Sequence, residues 1–169
     1  MPTIGVSIPV PDPFGSALQD FRVSLGDELA KHIPTHITLV PPAVVPDEEL
    51  GAIEAHLRSA AADQQPFRVR LRGTGTFRPI SPVVFVGVVE GISSCEMLAA
   101  VTRRGPLAVD VGFPYHPHVT VAHDLPDDDL DRAFAELADY EAAFEVEDFW
   151  LYVHDEREGW RPTTAFRLG

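Results

Sequence analysis

The chain has 169 residues, 45% of them hydrophobic and 23% charged, and this ordinary composition predicts one globular domain over residues 1–169. Its net charge of −13 argues against a broad nucleic-acid groove, because such grooves bind by neutralising phosphates, and we expect no DNA partner. The single cysteine excludes an internal disulfide, and no apolar run approaches the roughly 18 residues that span a membrane. The N-terminal residues have no basic region, so we expect no signal peptide, no membrane partner and a cytoplasmic location.

The first half of the chain is predicted as strand, helix, strand, helix, strand. The apolar run 3–10 predicts the first strand, and apolar residues at helical spacing predict a helix over 14–32. A strand with the sequence His36-Ile37-Thr38-Leu39-Val40 follows. Pro46-Asp47-Glu48-Glu49-Leu50 opens the second helix, because proline and acidic residues are favoured at helix N-termini. A strand over 67–72 closes the half, and a turn is predicted at 73–77.

The second half repeats this order of elements. Its predicted elements are a strand over 83–90, a helix over 93–104, a strand with the sequence His118-Val119-Thr120-Val121-Ala122, a helix opened by Pro126-Asp127-Asp128-Asp129-Leu130, and strands over 144–153 and 161–168. The two histidines are 82 residues apart (36 to 118), and the two helix-opening prolines are 80 residues apart (46 to 126). Two unrelated landmarks at nearly the same offset indicate a duplication.

The duplication predicts an α+β fold of two lobes, comprising roughly residues 1–75 and 76–169. We expect each lobe to be a mainly antiparallel sheet with two helices outside. An approximate two-fold axis would relate the lobes and leave a central cleft, which both His-x-Thr strands would line. Because the duplicated chain supplies its own two-fold axis, we expect a monomer.

The two His-x-Thr motifs predict the catalytic chemistry. Side chains alternate along a strand, so His36 and Thr38 share one face, and so do His118 and Thr120. Two motifs that face each other would offer two acid/base imidazoles with two hydroxyl donors between them. That arrangement suits a phosphodiester, whose cleavage needs one proton taken and one given.

Further residues suggest contacts to a substrate. Phe77 beside Arg78 could stack on a base and hold it, as in readers of single-stranded RNA, or Phe77 could simply plug a loop. Together with Tyr115 they are the predicted substrate-binding residues. Three arginines alternate along one strand and so share one face, which is either a solvated sheet face or a contact to an RNA backbone; they are Arg68, Arg70 and Arg72.

The paired His-x-Thr motifs, the duplicated layout and the Gly75-Thr76-Phe77 turn before the 83–89 strand resemble the two-histidine (2H) phosphoesterases. That superfamily includes the RNA 2′,3′-cyclic phosphodiesterases, also called 2′-5′ RNA ligases. The resemblance implies that His36 and His118 are the catalytic pair and that Thr38 and Thr120 bind the phosphate. It further implies hydrolysis of a 2′,3′-cyclic phosphate on a short RNA end or nucleotide, without metal or other cofactor, and 2′-5′ ligation as the reverse reaction.

Two alternatives stay open at this point. The same fold could serve as a non-catalytic module that binds a phosphate or nucleotide, which a turnover assay would distinguish. A metal-dependent hydrolase could use three histidines that lie close together in the sequence, His116, His118 and His123. Metal analysis of the purified protein would decide that second alternative.

Overall fold

The computed structural model describes residues 1–108 and 114–169, and these residues fold around two antiparallel sheets. The elements, in chain order, are β1 (Thr3–Pro9), α1 (Phe14–Ser24), β2 (His36–Val44), α2 (Leu50–Ala62), β3 (Phe67–Thr76), β4 (Val83–Glu90), α3 (Ile92–Thr102), β5 (His118–His123), α4 (Asp127–Glu136), β6 (Glu141–Val146), β7 (Asp148–Asp155) and β8 (Gly159–Arg167). Short 3₁₀ segments occupy Glu28–His32, Asp47–Glu49 and Gly105–Leu107.

Each sheet has four strands. The first sheet has the order β2-β1-β7-β8, and the second sheet has the order β5-β4-β3-β6. Helix α3 packs against β2 of the first sheet, and α1 packs against β5 of the second, so the helices tie the two sheets together. This architecture confirms the predicted α+β fold of two antiparallel lobes. Within the described ranges, no helix combines the length and the apolar character needed to cross a membrane.

The division into sheets does not follow the predicted division of the sequence near residue 75. Strand β3 closes the first half of the sequence but pairs with β4 and β6 of the second sheet. Strand β7, from the second half, pairs with β1 of the first sheet. The expected order of elements is correct, but the first half contributes its closing strand β3 to the second sheet, and the second half contributes its last two strands, β7 and β8, to the first sheet. Local patterns predict that a segment is a strand, whereas the pairing partner is set by long-range packing.

The strand predicted over 144–153 is in fact two strands that belong to different sheets. In β6 the buried side chains fall on even numbers, such as Phe144 and Val146. At the start of β7 they fall on odd numbers, Phe149 and Leu151, so the alternation shifts by one residue at Glu147. That shift marks the place where the chain leaves the second sheet and enters the first.

Two other predicted boundaries are also wrong. The helix predicted over 14–32 ends at Ser24, because Gly26 adopts a φ of +91° and Asp27 then starts a 3₁₀ turn by accepting a hydrogen bond from the Leu29 amide at 3.2 Å. The turn predicted at 73–77 begins later, because β3 continues to Thr76. The pairing of β3 with β4 shifts register between Leu71 and Thr74, so the chain forms a bulge at this point and does not reverse direction.

Candidate active site

His36 is the first residue of β2, and its backbone surroundings fix the orientation of its ring. Nδ1 lies 2.6 Å from the carbonyl oxygen of Pro34. A carbonyl can only accept, so Nδ1 carries the hydrogen and donates it. In the neutral ring Nε2 is therefore the unprotonated nitrogen, free to take a proton from a substrate or water.

His118 repeats this arrangement at the start of β5. Its Nδ1 lies 2.7 Å from the carbonyl oxygen of His116, again the residue two positions earlier. Pro34 and Pro117 lie in the two segments that lead into the motifs, where proline restricts the backbone. The same local geometry therefore presents Nε2 of both histidines, as the duplication predicts.

The two histidines lie close enough to influence each other. Strands β2 and β5 approach each other directly where the sheets meet. Burial lowers the pKa of His36, although its hydrogen bond to Pro34 raises it, and the charges of Arg22 and His118 lower it further. Burial also lowers the pKa of His118. The hydrogen bond to the His116 carbonyl raises this pKa, whereas a positive charge on the His116 ring lowers it. The lowered pKa values favour neutral imidazoles near pH 7.

The threonine hydroxyls complete the predicted group of four. Thr38 and Thr120 are both partly exposed, and each lies two residues beyond its histidine on the same strand face. Neither hydroxyl has a hydrogen-bond partner among residues 1–108 and 114–169. Two free donors beside two imidazoles are suited to binding the non-bridging oxygens of a phosphate.

Tyr115 contacts the site through a backbone atom. Its hydroxyl donates a hydrogen bond of 2.7 Å to the carbonyl oxygen of Thr38, across the boundary between the sheets. The Arg103 guanidinium lies over the Tyr115 ring at 5.1 Å, and its Nε donates to the carbonyl oxygen of Leu39 at 2.7 Å. Burial raises the pKa of Tyr115, which therefore stays protonated. The Tyr115 hydroxyl thus holds the strand that carries His36, and its contact with a substrate stays a prediction.

Phe77 lies beside the second histidine in an aromatic group. Its ring centroid is 5.1 Å from that of His118 and 4.7 Å from that of Phe85. Phe85 lies over Gly75, where an added Cβ would come within 2.5 Å of the ring. His116 completes the group, with its ring centroid 5.2 Å from that of Phe85. The structure thus places Phe77 against His118, while its stacking on a base stays a prediction.

Arg78 is held by acidic side chains of α4. Its Nη1 lies 2.9 Å from Asp131 and 3.7 Å from Asp127, and its Nε donates to the Thr76 hydroxyl at 3.3 Å. These bonds anchor the turn after β3 to α4. A substrate contact by Arg78 remains a prediction. A ligand would have to compete with the Asp127 and Asp131 carboxylates for the Arg78 guanidinium.

The three alternating arginines of β3 share one exposed face, as predicted. Arg70 and Arg72 both pair with Glu141, at 3.3 and 3.4 Å, and Arg68 approaches Glu90 at 3.9 Å. Each arginine has a neighbouring glutamate, although Arg70 and Arg72 share one, which favours the interpretation as a solvated sheet face.

The three histidines of the metal alternative do not converge. His118 and His123 are the two ends of β5, about 16 Å apart at the usual rise of a strand. His123 instead lies 3.4 Å from the carboxylate of Asp124. Within the described part of the chain, no three His, Cys, Asp or Glu side chains are grouped so as to hold a metal ion.

Comparison with protein families identifies the fold and its relatives. The model of the 2′-5′ RNA ligase superfamily matches residues 10–158, which is most of the chain. The chain belongs to this superfamily. The match includes both His-x-Thr strands, so the resemblance noted from the motifs is confirmed at the level of the superfamily.

Proteins with sequences similar to this chain include ones from Bacillus and Geobacillus. A protein of Bacillus cytotoxicus, provisionally named a phosphoesterase, is 30% identical over 146 residues, covering 81% of this chain and 80% of the relative. A protein of Geobacillus kaustophilus with the same kind of name is 28% identical over 157 residues, covering 90% of both chains.

Solved structures share the fold. Escherichia coli LigT complexed with 3′-AMP superposes with a TM-score of 0.69 at 21% identity and 99% coverage of both chains. The protein TT0787 of Thermus thermophilus gives a TM-score of 0.68 at 24% identity, covering 99% of this chain and 98% of that one. Both likenesses support the two-sheet architecture of the superfamily.

Sequence reasoning missed a second group of residues beside His36. Trp160 of β8 and Tyr152 of β7 line a pocket that also contains Gly5, His36 and Thr38. Trp160 is 124 residues from His36 in the chain (36 to 160), so no local pattern connects the two. One signal was available, because an isolated glycine within the apolar run 3–10 indicates a close approach of another group.

Proposed function

We propose that this protein is a metal-independent phosphodiesterase that hydrolyses a 2′,3′-cyclic phosphate on a nucleotide or short RNA end. His36 and His118 act as the acid/base pair, and Thr38 and Thr120 bind the phosphate. The observation that carries this proposal is the repeated geometry of the histidines. Each donates Nδ1–H to the carbonyl two residues before it, at 2.6 and 2.7 Å, and so leaves Nε2 for proton transfer.

The proposed hydrolysis needs two proton transfers on opposite sides of phosphorus. One imidazole takes a proton from water as the water oxygen forms its bond to phosphorus. The bond from phosphorus to one ribose oxygen breaks, and the other imidazole protonates that oxygen. Each positioned acid or base typically contributes about 10²–10⁴-fold to the rate. The two transfers account for the chemistry without a metal-bound nucleophile.

The environment of the histidines supports their use with an anionic substrate. Both pKa values are lowered by burial, so the free site favours neutral rings. A phosphate anion between the rings stabilises a positive charge on an imidazole and so raises the pKa of both histidines. One ring can then hold the proton that it will donate. The Thr38 and Thr120 hydroxyls would stabilise the charge that develops on the non-bridging oxygens.

A nucleotide is the ligand class that the comparisons support. Structures of Escherichia coli LigT are described as complexes with 3′-AMP, NADP⁺ and ATP. The aromatic group of Phe77, Phe85 and His116 beside His118 offers apolar ring surface near the proposed phosphate site. With a 5′-hydroxyl in place of water, the same site would carry out 2′-5′ ligation: the 5′-oxygen forms its bond to phosphorus, the bond from phosphorus to the ribose 3′-oxygen breaks, and an imidazole protonates that 3′-oxygen.

The test is hydrolysis of adenosine 2′,3′-cyclic phosphate by the intact protein and by single variants. His36→Ala and His118→Ala should each lower kcat by at least about 10²-fold, because each removes one proton transfer. His123→Ala is the matched control, since His123 is exposed at the far end of β5 and should leave kcat unchanged. Dialysis against EDTA should also leave activity intact.

The same assay separates this proposal from the two alternatives. Binding of the cyclic nucleotide without any product would indicate a binding module. Activity that disappears with EDTA and returns with added metal would indicate a metal-dependent hydrolase. Substantial activity in a folded His36→Ala or His118→Ala protein would refute the two-histidine mechanism.

A further inference from the structure

A buried arginine on α1 lies outside the group of four residues that the proposed mechanism uses. Arg22 is only 5% exposed and lies on the same helix face as Leu18. Its partner is Asp27, whose carboxylate is 3.5 Å from Nη2, longer than a usual hydrogen bond. Within residues 1–108 and 114–169, the buried Nε has no hydrogen-bond partner. A buried charge that is only partly compensated costs stability, so a role beyond packing is expected for Arg22.

The face of α1 that carries Arg22 is bonded to the segment that leads into His36. Gln19, three residues before Arg22 on that face, donates from Nε2 to the Ile33 carbonyl at 3.2 Å. Helix α1 also packs against β5, the strand of the second motif. The charge of Arg22 acts on the His36 ring and lowers its pKa more than the charge of His118 does. Arg22 thus places a fixed positive charge beside the candidate phosphate site.

Two other arginines near the motifs are engaged elsewhere. Arg103 donates to the Leu39 carbonyl and lies over the Tyr115 ring, and Arg78 is held by Asp131. The net charge of −13 repels an anionic substrate from the protein as a whole. A phosphate therefore needs a local positive charge in order to bind. Salt screens a buried charge much less than an exposed one, so a single buried arginine is effective in this role.

We propose that Arg22 is a positioning residue of the candidate site, whose buried charge draws the phosphate of the substrate to its place beside His36. This inference rests on the proposed function, because it uses the same phosphate position between the two histidines. The transition state carries more negative charge on the phosphate oxygens than the ground state does, so the charge of Arg22 favours reaction as well as binding. The Asp27 carboxylate opposes this effect. The two members of the ion pair therefore act on the phosphate with opposite signs.

The test uses this difference in sign and follows the Kd for inorganic phosphate by isothermal titration calorimetry. Arg22→Met keeps an unbranched side chain without its charge and should raise the Kd by roughly 5- to 50-fold, the effect of one nearby charge at an effective dielectric constant of about 20. Asp27→Asn removes the opposing charge and keeps an oxygen that can accept from the Leu29 amide, so it should lower the same Kd. Arg22→Lys keeps the charge and should retain most of the affinity. The titrations are run at pH 8, because the lowered pKa values of both histidines leave their rings neutral there.

Two further variants separate the charge of Arg22 from net charge and from folding. Arg132→Met is the matched control, because it removes one positive charge from an exposed ion pair with Glu136 on α4. It changes the net charge by the same amount as Arg22→Met but should leave the Kd within about 2-fold. If Arg22→Met does not fold, the double variant Arg22→Met/Asp27→Asn takes its place, since it leaves no unpaired buried charge. The double variant should also raise the Kd, because Arg22 acts on the site more strongly than Asp27 does.

An ion pair with a purely structural role would give a different result. Loss of either partner would then shift the Kd in the same direction, or lower Tm without changing the Kd, and each of these outcomes would overturn the role of Arg22. Failure of the unmodified protein to bind phosphate would overturn it as well. If hydrolysis of adenosine 2′,3′-cyclic phosphate depends on His36 while the Kd ignores both charges, the proposed function stands and this inference fails. If the Kd follows the two charges but no cyclic phosphate is hydrolysed, Arg22 keeps its role in binding phosphate and the proposed function fails.

Discussion

Replacing Tyr115 with phenylalanine isolates one hydrogen bond that joins the two sheets at the site. The substitution removes the 2.7 Å bond from the hydroxyl to the Thr38 carbonyl but keeps the ring under Arg103. Such a bond contributes about 0.5–1.5 kcal/mol net. For a chain of this size, a loss of about 1 kcal/mol lowers Tm by about 2–4 °C.

The effect on catalysis follows from the position of the lost bond. A misplacement of about 1 Å can cost about 100-fold in rate. Strand β2 keeps its pairing with β1, which limits the displacement of His36 and Thr38. We therefore expect kcat for the cyclic nucleotide to fall about 10-fold with a smaller change in KM, because the misplaced groups act mainly in the transition state.

The chain offers a matched control for this experiment. The buried Tyr140 hydroxyl has no hydrogen-bond partner in the described parts of the chain, so Tyr140→Phe removes a hydroxyl without removing a bond. Thermal unfolding and steady-state kinetics of both variants give the comparison. If Tyr115→Phe and Tyr140→Phe behave alike in Tm and in kcat, the bond to Thr38 does not position the site.

Two further predictions concern pH and packing. Because burial lowers the pKa of both His36 and His118, kcat/KM should peak below pH 6.5 and fall as rising pH deprotonates the histidine that acts as the acid. The profile of kcat should peak at higher pH, because the bound anion raises the pKa of both histidines. A pH–rate series measures both profiles, and a kcat/KM maximum well above pH 6.5 would contradict the burial argument. Gly75→Ala should destabilise the protein by about 1–3 kcal/mol, because its Cβ displaces the Phe85 ring. Gly51→Ala, on an exposed turn of α2 with open space around it, should instead stabilise by about 0.5–1 kcal/mol, and urea unfolding of the pair checks the contrast.

The sequence was sufficient to predict the local arrangement of each His-x-Thr motif but not the full surroundings of the candidate site. His36 and Thr38 lie on one short strand, and the repeat at His118 and Thr120 makes the pattern visible without a structure. The carbonyl partners of both imidazoles are also local, two residues upstream. Local chemistry of this kind is encoded by neighbouring residues and can be inferred from them.

The remaining features depend on contacts between distant parts of the chain. Tyr115 meets Thr38 across 77 positions, and Trp160 reaches Gly5 only because β7 and β8 join the first sheet. A strand pattern predicts which face of a segment is buried, but not which other strand it pairs with. The ion pairs of Arg78 could not be predicted for the same reason, since its acidic partners on α4 follow it by about 50 residues.

The exchange of closing strands makes this molecule resemble a domain-swapped dimer whose two copies are joined by a turn. A cut in that turn, between β3 and β4, would produce two fragments, of which the first lacks β7 and β8 of its sheet and the second lacks β3 of its sheet. Alone, each fragment would expose the edge of β1 or β4 and tend to aggregate. Mixed together, each would supply what the other needs, β3 from one and β7 with β8 from the other, so the two should reconstitute the candidate site by complementation. Neither repeat is therefore an independent folding unit, although the repeat is what makes the site recognisable in the sequence.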